Sequence, residues 1–123
     1  MYRRNIKEKK SGKTFSILKQ QIRGSLEKKF NINKIIFAYE PVWSIGTNKV
    51  PKMNELKNTI KFIKNDLKKT LKTKKPPKVL YGGSVNNKNI KLLSSVPEID
   101  GFLIGGASQS AKKFVDIIKK YYK

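Results

Sequence analysis

Cysteine and histidine are both missing from these 123 residues. Without thiols there is no disulfide framework and no thiolate nucleophile. Without imidazole the chain has no histidine acid or base of its own, and no metal site is expected. Long apolar runs are absent too: nothing approaches the roughly 18 residues that would mark a membrane span. The basic start Met1-Tyr2-Arg3-Arg4-Asn5-Ile6-Lys7 has no apolar stretch behind it. No signal peptide and no membrane partner are therefore expected, and the expected location is cytoplasmic. Acidic residues are scarce, 8 against 29 basic ones, for a net charge of +21. Such an excess is the electrostatic footprint of a polyanion binder. Yet only Arg3, Arg4 and Arg23 are arginine, and the lysines are scattered along helical stretches. No aromatic residues interleave with them as a single-strand binder requires. A solvated surface, not nucleic-acid binding, is the expectation.

What is present is a regular alternation of patterns. Phe15, Leu18, Ile22 and Leu26 recur at three- and four-residue spacing, predicting a helix over about 14–30, weakened at Gly24. Residues 34–39 contain Ile35-Ile36-Phe37-Ala38-Tyr39, a short apolar run suited to a buried strand. Met53, Leu56, Ile60, Ile63, Leu67 and Leu71 form the strongest helical stripe, with Pro76-Pro77 marking its end. A second strand over 78–81 runs into Gly82-Gly83. A brief helix over 87–94 follows, with Ile90 and Leu93 inward. A third strand over 101–104 runs into Gly105-Gly106. The last helix, about 110–121, presents Ala111, Phe114, Val115 and Ile118. Strands alternating with helices imply an α/β unit with a parallel sheet, because parallel neighbours need crossover connections. An open sheet and a barrel both fit this pattern.

Three loops follow the carboxyl ends of these strands, where barrel enzymes carry their chemistry. The first is Ala38-Tyr39-Glu40-Pro41-Val42-Trp43-Ser44-Ile45-Gly46-Thr47. The second is Tyr81-Gly82-Gly83-Ser84-Val85-Asn86, and the third Asp100-Gly101-Phe102-Leu103-Ile104-Gly105-Gly106-Ala107-Ser108. A shielded carboxylate at a strand end, such as Glu40, can take a proton from carbon beside a carbonyl. On the residues alone, a carboxylate that caps a turn or pairs with lysine is the commoner case. Gly82-Gly83-Ser84 and Gly105-Gly106 let backbone N–H groups approach an anion, and the serine hydroxyl adds a donor. Ala107 and Ser108 would open a short helix whose first turn favours negative charge. Either glycine pair by itself is more often a tight turn.

Together and in this order, the three loops resemble the triosephosphate isomerase family. Lys10-Ser11-Gly12-Lys13-Thr14 also resembles that family's helix entry after its fifth strand. The resemblance implies that residues 1–123 are the C-terminal part of a TIM (β/α)8 barrel. That part would be three parallel strands, the sixth to eighth, alternating with helices plus an N-terminal helix. It implies Glu40 as the catalytic base, with Gly46, Ser84, Gly105 and Gly106 on the substrate phosphate. It implies a lid of Pro41, Val42, Trp43, Ser44, Ile45, Gly46, Thr47, Asn48 and Lys49, hinged at 41–43 and 47–49. Asn48 stands where the family has glycine, and asparagine tolerates left-handed backbone.

The implied reaction interconverts dihydroxyacetone phosphate and D-glyceraldehyde 3-phosphate, in glycolysis and gluconeogenesis, with no cofactor. The partner is a small phosphorylated triose. The family is homodimeric through a loop of the absent half, so no native-like dimer is expected. A complete barrel needs about 250 residues. The first four strands are not here, and Met1-Tyr2-Arg3-Arg4 stands where the fifth would be, so the fifth is expected to be absent as well. The glutamate's histidine and lysine partners lie outside these residues. A truncated product is implied, in which Ile35, Phe37, Val79 and Leu103 cannot all be covered. The alternative reading is an inactive truncated product acting as a basic polyanion-binding protein.

Overall fold

A computed structural model describes residues 2–4, 14–26 and 31–123. Residues 10–13, expected as the helix entry, and 27–30, expected as the end of the first helix, lie outside the described residues. Four strands form one parallel sheet in chain order: β1 (Tyr2–Arg4), β2 (Phe37–Pro41), β3 (Val79–Gly82) and β4 (Gly101–Leu103). The helices are α1 (Thr14–Ser25), α2 (Met53–Thr70), α3 (Ile90–Ser94) and α4 (Ala111–Tyr122). Three of the strands alternate with helices as expected. The fourth, β1, overturns the expectation that Met1-Tyr2-Arg3-Arg4 carries no strand, since Tyr2, Arg3 and Arg4 pair with Tyr39, Glu40 and Pro41. Parallel backbone pairing needs no apolar side chain at an edge, so composition hid it.

Strand alternation sorts the sheet into two faces. Phe37, Tyr39, Val79 and Tyr81 point to the helices and are buried. They pack with Leu18 and Ile22 of α1, Leu56, Ile60, Ile63 and Leu67 of α2, Ile90 and Leu93 of α3, and Ile117 of α4. The opposite face carries Ile36, 67% exposed, and Leu103, 37% exposed. The four residues expected not all to be covered are indeed not all covered: Leu103 is on that open face and exposed. Phe37 and Val79 are buried, and Ile35 is half-buried. An apolar run has two faces, and its sequence does not say which one meets the helices.

Local chemistry sets the boundaries. The first strand of the alternating set starts at Phe37, because residues Ile32–Lys34 close a 3-10 turn capped by Asn31. Helix α2 has Glu55 in its first turn and Lys68 and Lys69 in its last, which suits the macrodipole. It ends well before Pro76. The Thr73 N–H bonds the Lys68 carbonyl and the Lys72 N–H bonds that of Lys69, with Lys72 left-handed at φ +52°. That six-to-one closure stops the helix without proline. Helix α4 starts at an Ser110 cap on the Lys113 N–H. Its buried residue is Ile117, whereas Phe114, Val115 and Ile118, expected inward, are 37–43% exposed.

Candidate active site

Alternation that sinks Tyr39 into the core turns Glu40 to the other face. There Glu40 is half-buried, and its side chain lies along the backbone of Gly82 on the next strand. A β-carbon at position 82 would stand 2.6 Å from the Glu40 Cγ and 3.1 Å from its Oε1. Gly82 therefore forms the trough in which the carboxylate rests. Sequence reasoning placed Gly82 in a phosphate cradle and missed this role. The available signal was a glycine ending the strand beside the one that ends in glutamate.

After Pro41 the chain makes a 3-10 turn, Val42–Ser44, closed by the Ile45 N–H on the Val42 carbonyl at 3.2 Å. Gly46 and Asn48 are both left-handed, at φ +68° and +58°. Asparagine thus takes the backbone expected of it. Thr47 Oγ1 lies 3.1 Å from the Trp43 carbonyl and 3.2 Å from that of Ser44, and receives the Lys49 N–H at 3.2 Å. These local bonds make the segment a folded flap.

Ser84 joins the flap to the β3 loop. Its hydroxyl donates to the Ser44 carbonyl and accepts the Asn48 N–H at 3.0 Å, reaching both sides of the flap's tip. The hydroxyl proton is thereby committed to Ser44. The expectation that this hydroxyl adds a donor for phosphate concerns a group that here bonds the flap instead. Asn86 and Asn89 shape the rest of the loop, each side-chain oxygen accepting the other's backbone N–H at 3.1 and 2.9 Å. Beneath the flap, burial pushes the Tyr81 phenol up to about 12; its bond to Ser44 opposes this and the Glu40 charge adds to it.

The three loops open onto one groove of about 1030 Å³. Glu40 is at its wall, with Ile45, Gly46 and Asn48 from the flap, Gly83 and Ser84 from the β3 loop, and Leu103 to Ala107 from the β4 loop. Each of Glu40, Gly46, Ser84, Gly105 and Gly106 lines it. Of the other flap residues, Pro41 and Ser44 are buried, Trp43 is half-buried, and Val42, Thr47 and Lys49 are exposed. The expected short helix at 107–108 is a 3-10 turn, Gly106–Gln109, with the Ser108 N–H on the Gly105 carbonyl at 2.9 Å. Glu40 is the only carboxylate among the lining residues, alongside Lys88 and Lys113. Lys113 enters from the first turn of α4, a position that helical spacing does not single out.

The family model for triosephosphate isomerase matches residues 3–121. The chain belongs to the triosephosphate isomerase family. It is 40% identical over 117 residues to the triosephosphate isomerase of Borreliella burgdorferi strain ZS7, covering 92% of this chain and 46% of that protein. With the triosephosphate isomerase of Mycoplasma mobile it shares 41% over 109 residues, covering 89% of this chain and 43% of the other. The crystal structure of triosephosphate isomerase from Bartonella henselae superposes with a TM-score of 0.84 at 32% identity. That match covers 98% of this chain and 49% of the other, so the fold here is part of a TIM barrel. The chain spans about half the length of the triosephosphate isomerases it matches. No helix among the described residues is long and apolar enough to cross a membrane.

Proposed function

We propose that this chain supplies the glutamate base, the lid and the phosphate cradle of a triosephosphate isomerase, as the C-terminal part of its barrel. One observation carries the reading: a single groove gathers Glu40, the flap tip at Gly46 and the glycine turn at 105–106. In the proposed reaction the Glu40 carboxylate takes a proton from C1 of dihydroxyacetone phosphate. The electron pair moves into a C1–C2 double bond and onto the carbonyl oxygen, giving an enediolate. The C1 hydroxyl proton passes to the C2 oxygen and the same carboxyl group returns its proton at C2, yielding D-glyceraldehyde 3-phosphate. No net oxidation occurs and no cofactor is needed.

Each remaining part has a physical task. Backbone N–H groups of Gly46, Ser84, Gly105 and Gly106 hold the phosphate, fixing the reacting carbons against the base. The flap of residues 41–49 covers the intermediate and excludes water, which strengthens electrostatics inside the site. The histidine and lysine that the family pairs with this glutamate belong to the half outside these residues. Metabolically the reading places the protein in glycolysis and gluconeogenesis, in the cytoplasm.

The test is reconstitution. The 123-residue chain is assayed for triose phosphate interconversion, alone and mixed with a separately produced half carrying the first strands of a family barrel. Activity is expected in the mixture and not in the chain alone. Glu40→Gln should lower turnover of the mixture by about a hundredfold to ten-thousandfold, the usual contribution of a general base. A mixture that turns over equally well with Glu40→Gln would remove the glutamate from the mechanism.

A further inference from the structure

We infer that the Ser44 side chain is a positioning residue of the flap: its hydroxyl, seated on Gly83 and paired with Tyr81, pins the first turn of the flap to the end of β3. The inference rests on reading residues 41–49 as a lid, but not on the chemistry assigned to Glu40.

Ser44 and Thr59 are the buried polar residues among those described. Thr59 satisfies its hydroxyl within its own helix, on the Glu55 carbonyl at 2.8 Å. Ser44, fully buried, reaches outside its element to the Tyr81 phenol oxygen at 3.4 Å. The space it enters exists because residue 83 has no side chain. A β-carbon on Gly83 would press on the Ser44 Oγ and lie 3.4 Å from the Tyr81 oxygen. Gly83 also holds φ +122°, which L side chains rarely adopt. The backbone of the same serine is held separately, by the Ser84 hydroxyl on its carbonyl. Ser44 is thus fastened by both main chain and side chain.

Packing alone does not call for a hydroxyl here. Alanine would fill most of the volume, whereas a buried hydroxyl must find a partner or carry a desolvation penalty. The position explains what the partner achieves. Ser44 is fully buried, while the next residue, Ile45, is 44% exposed and Gly46 reaches the groove. The clasp therefore lies at the boundary between a buried stem and an exposed tip. Glu40 is on the stem side. A loosened clasp would let the stem lift as well and carry the strand end that bears the glutamate.

Amide hydrogen exchange of the 123-residue chain tests this, together with the emission of Trp43, its single tryptophan. The Asn48 amide reports flap opening because its acceptor is the Ser84 hydroxyl. Ser44→Ala and Tyr81→Phe should each speed Asn48 exchange by about tenfold, the loss of one hydrogen bond, while Ile60 in α2 is unchanged. Trp43 emission should shift to the red in both. The double variant should exceed neither single variant, since both remove one contact. If Ser44→Ala does not fold, Tyr81→Phe, which removes one oxygen atom, carries the test. Asn48 exchange that is unchanged, or that rises only in step with Ile60, would overturn the inference. Neither readout needs substrate, so loss of this clasp and loss of the isomerase reading are separate results.

Discussion

At the scale of single residues, the carboxylate and its neighbour on the next strand form one unit. Placing a methyl group at position 82 forces Glu40 to move, because the clash falls at its Cγ and not only at its tip. Displacement of about 1 Å from a productive geometry can lower turnover around a hundredfold. Gly82→Ala is therefore expected to reduce reconstituted isomerase turnover by about that factor with an unchanged circular dichroism spectrum. Full activity would show that Glu40 does not need its trough. Tyr81 yields a second expectation. Its phenol is held up to about 12 by burial, against about 10 in an unfolded chain. Between those values the unfolded chain releases a proton that the folded one keeps, so stability falls as pH rises through that window and is unaffected below it. Unfolding free energies from urea titrations at pH 8 and pH 11.5 should differ less for Tyr81→Phe than for the parent, by about 1.4 kcal/mol per pH unit of the window. The place of Glu40 at a strand end and the left-handed backbone of Asn48 were legible because each rests on a pattern or preference written locally in the sequence. The trough at Gly82 was not, since it depends on which residue of another strand stands alongside.

Among the elements, Asp100 fastens three of them together. Its Oδ2 accepts the Val79 N–H at 2.8 Å and the Lys64 ammonium at 2.7 Å, joining the starts of β3 and β4 to α2. The Lys61–Glu98 pair spans the same two regions at 3.6 Å, with Lys61 54% exposed. Exposed pairs contribute little, whereas an amide stripped of its acceptor leaves a penalty of about 1–3 kcal/mol. Chemical denaturation should show Asp100→Ala lowering stability by about that amount and Lys61→Ala by under about 1 kcal/mol. Equal losses would contradict the ranking. The elements themselves were largely visible in advance: the stripe Leu56, Ile60, Ile63, Leu67 is the buried face of α2. Two things were not. Tyr2-Arg3-Arg4 carries no strand pattern yet pairs, because the edge of β2 supplies a partner. The apolar residues of β2 and β3 could be listed but not assigned to a face, since the sheet's orientation is set by helices distant in sequence.

For the whole molecule, a net charge of +21 is carried by only 123 residues. Repulsion of that size opposes the compact state and weakens as salt shortens its range to about 10 Å at 0.1 M. The melting temperature is expected to rise by about 4 °C or more between 0.02 and 0.2 M sodium chloride, seen by circular dichroism. A flat or falling value would mean that the lysines are spaced widely enough not to interact. Apart from Glu40 and Leu103, which lie at the ends of β2 and β4, the groove draws its lining residues from the chain that follows the carboxyl ends of β2, β3 and β4. The connections at the opposite end, 31–36, 71–78 and 95–100, contribute none. On the proposed function, sequence drift in those connections is filtered only by whether the chain still folds, and drift at the other end also by whether the site still works. Two populations of substitutions should therefore accumulate along this chain at different rates, alternating with each strand.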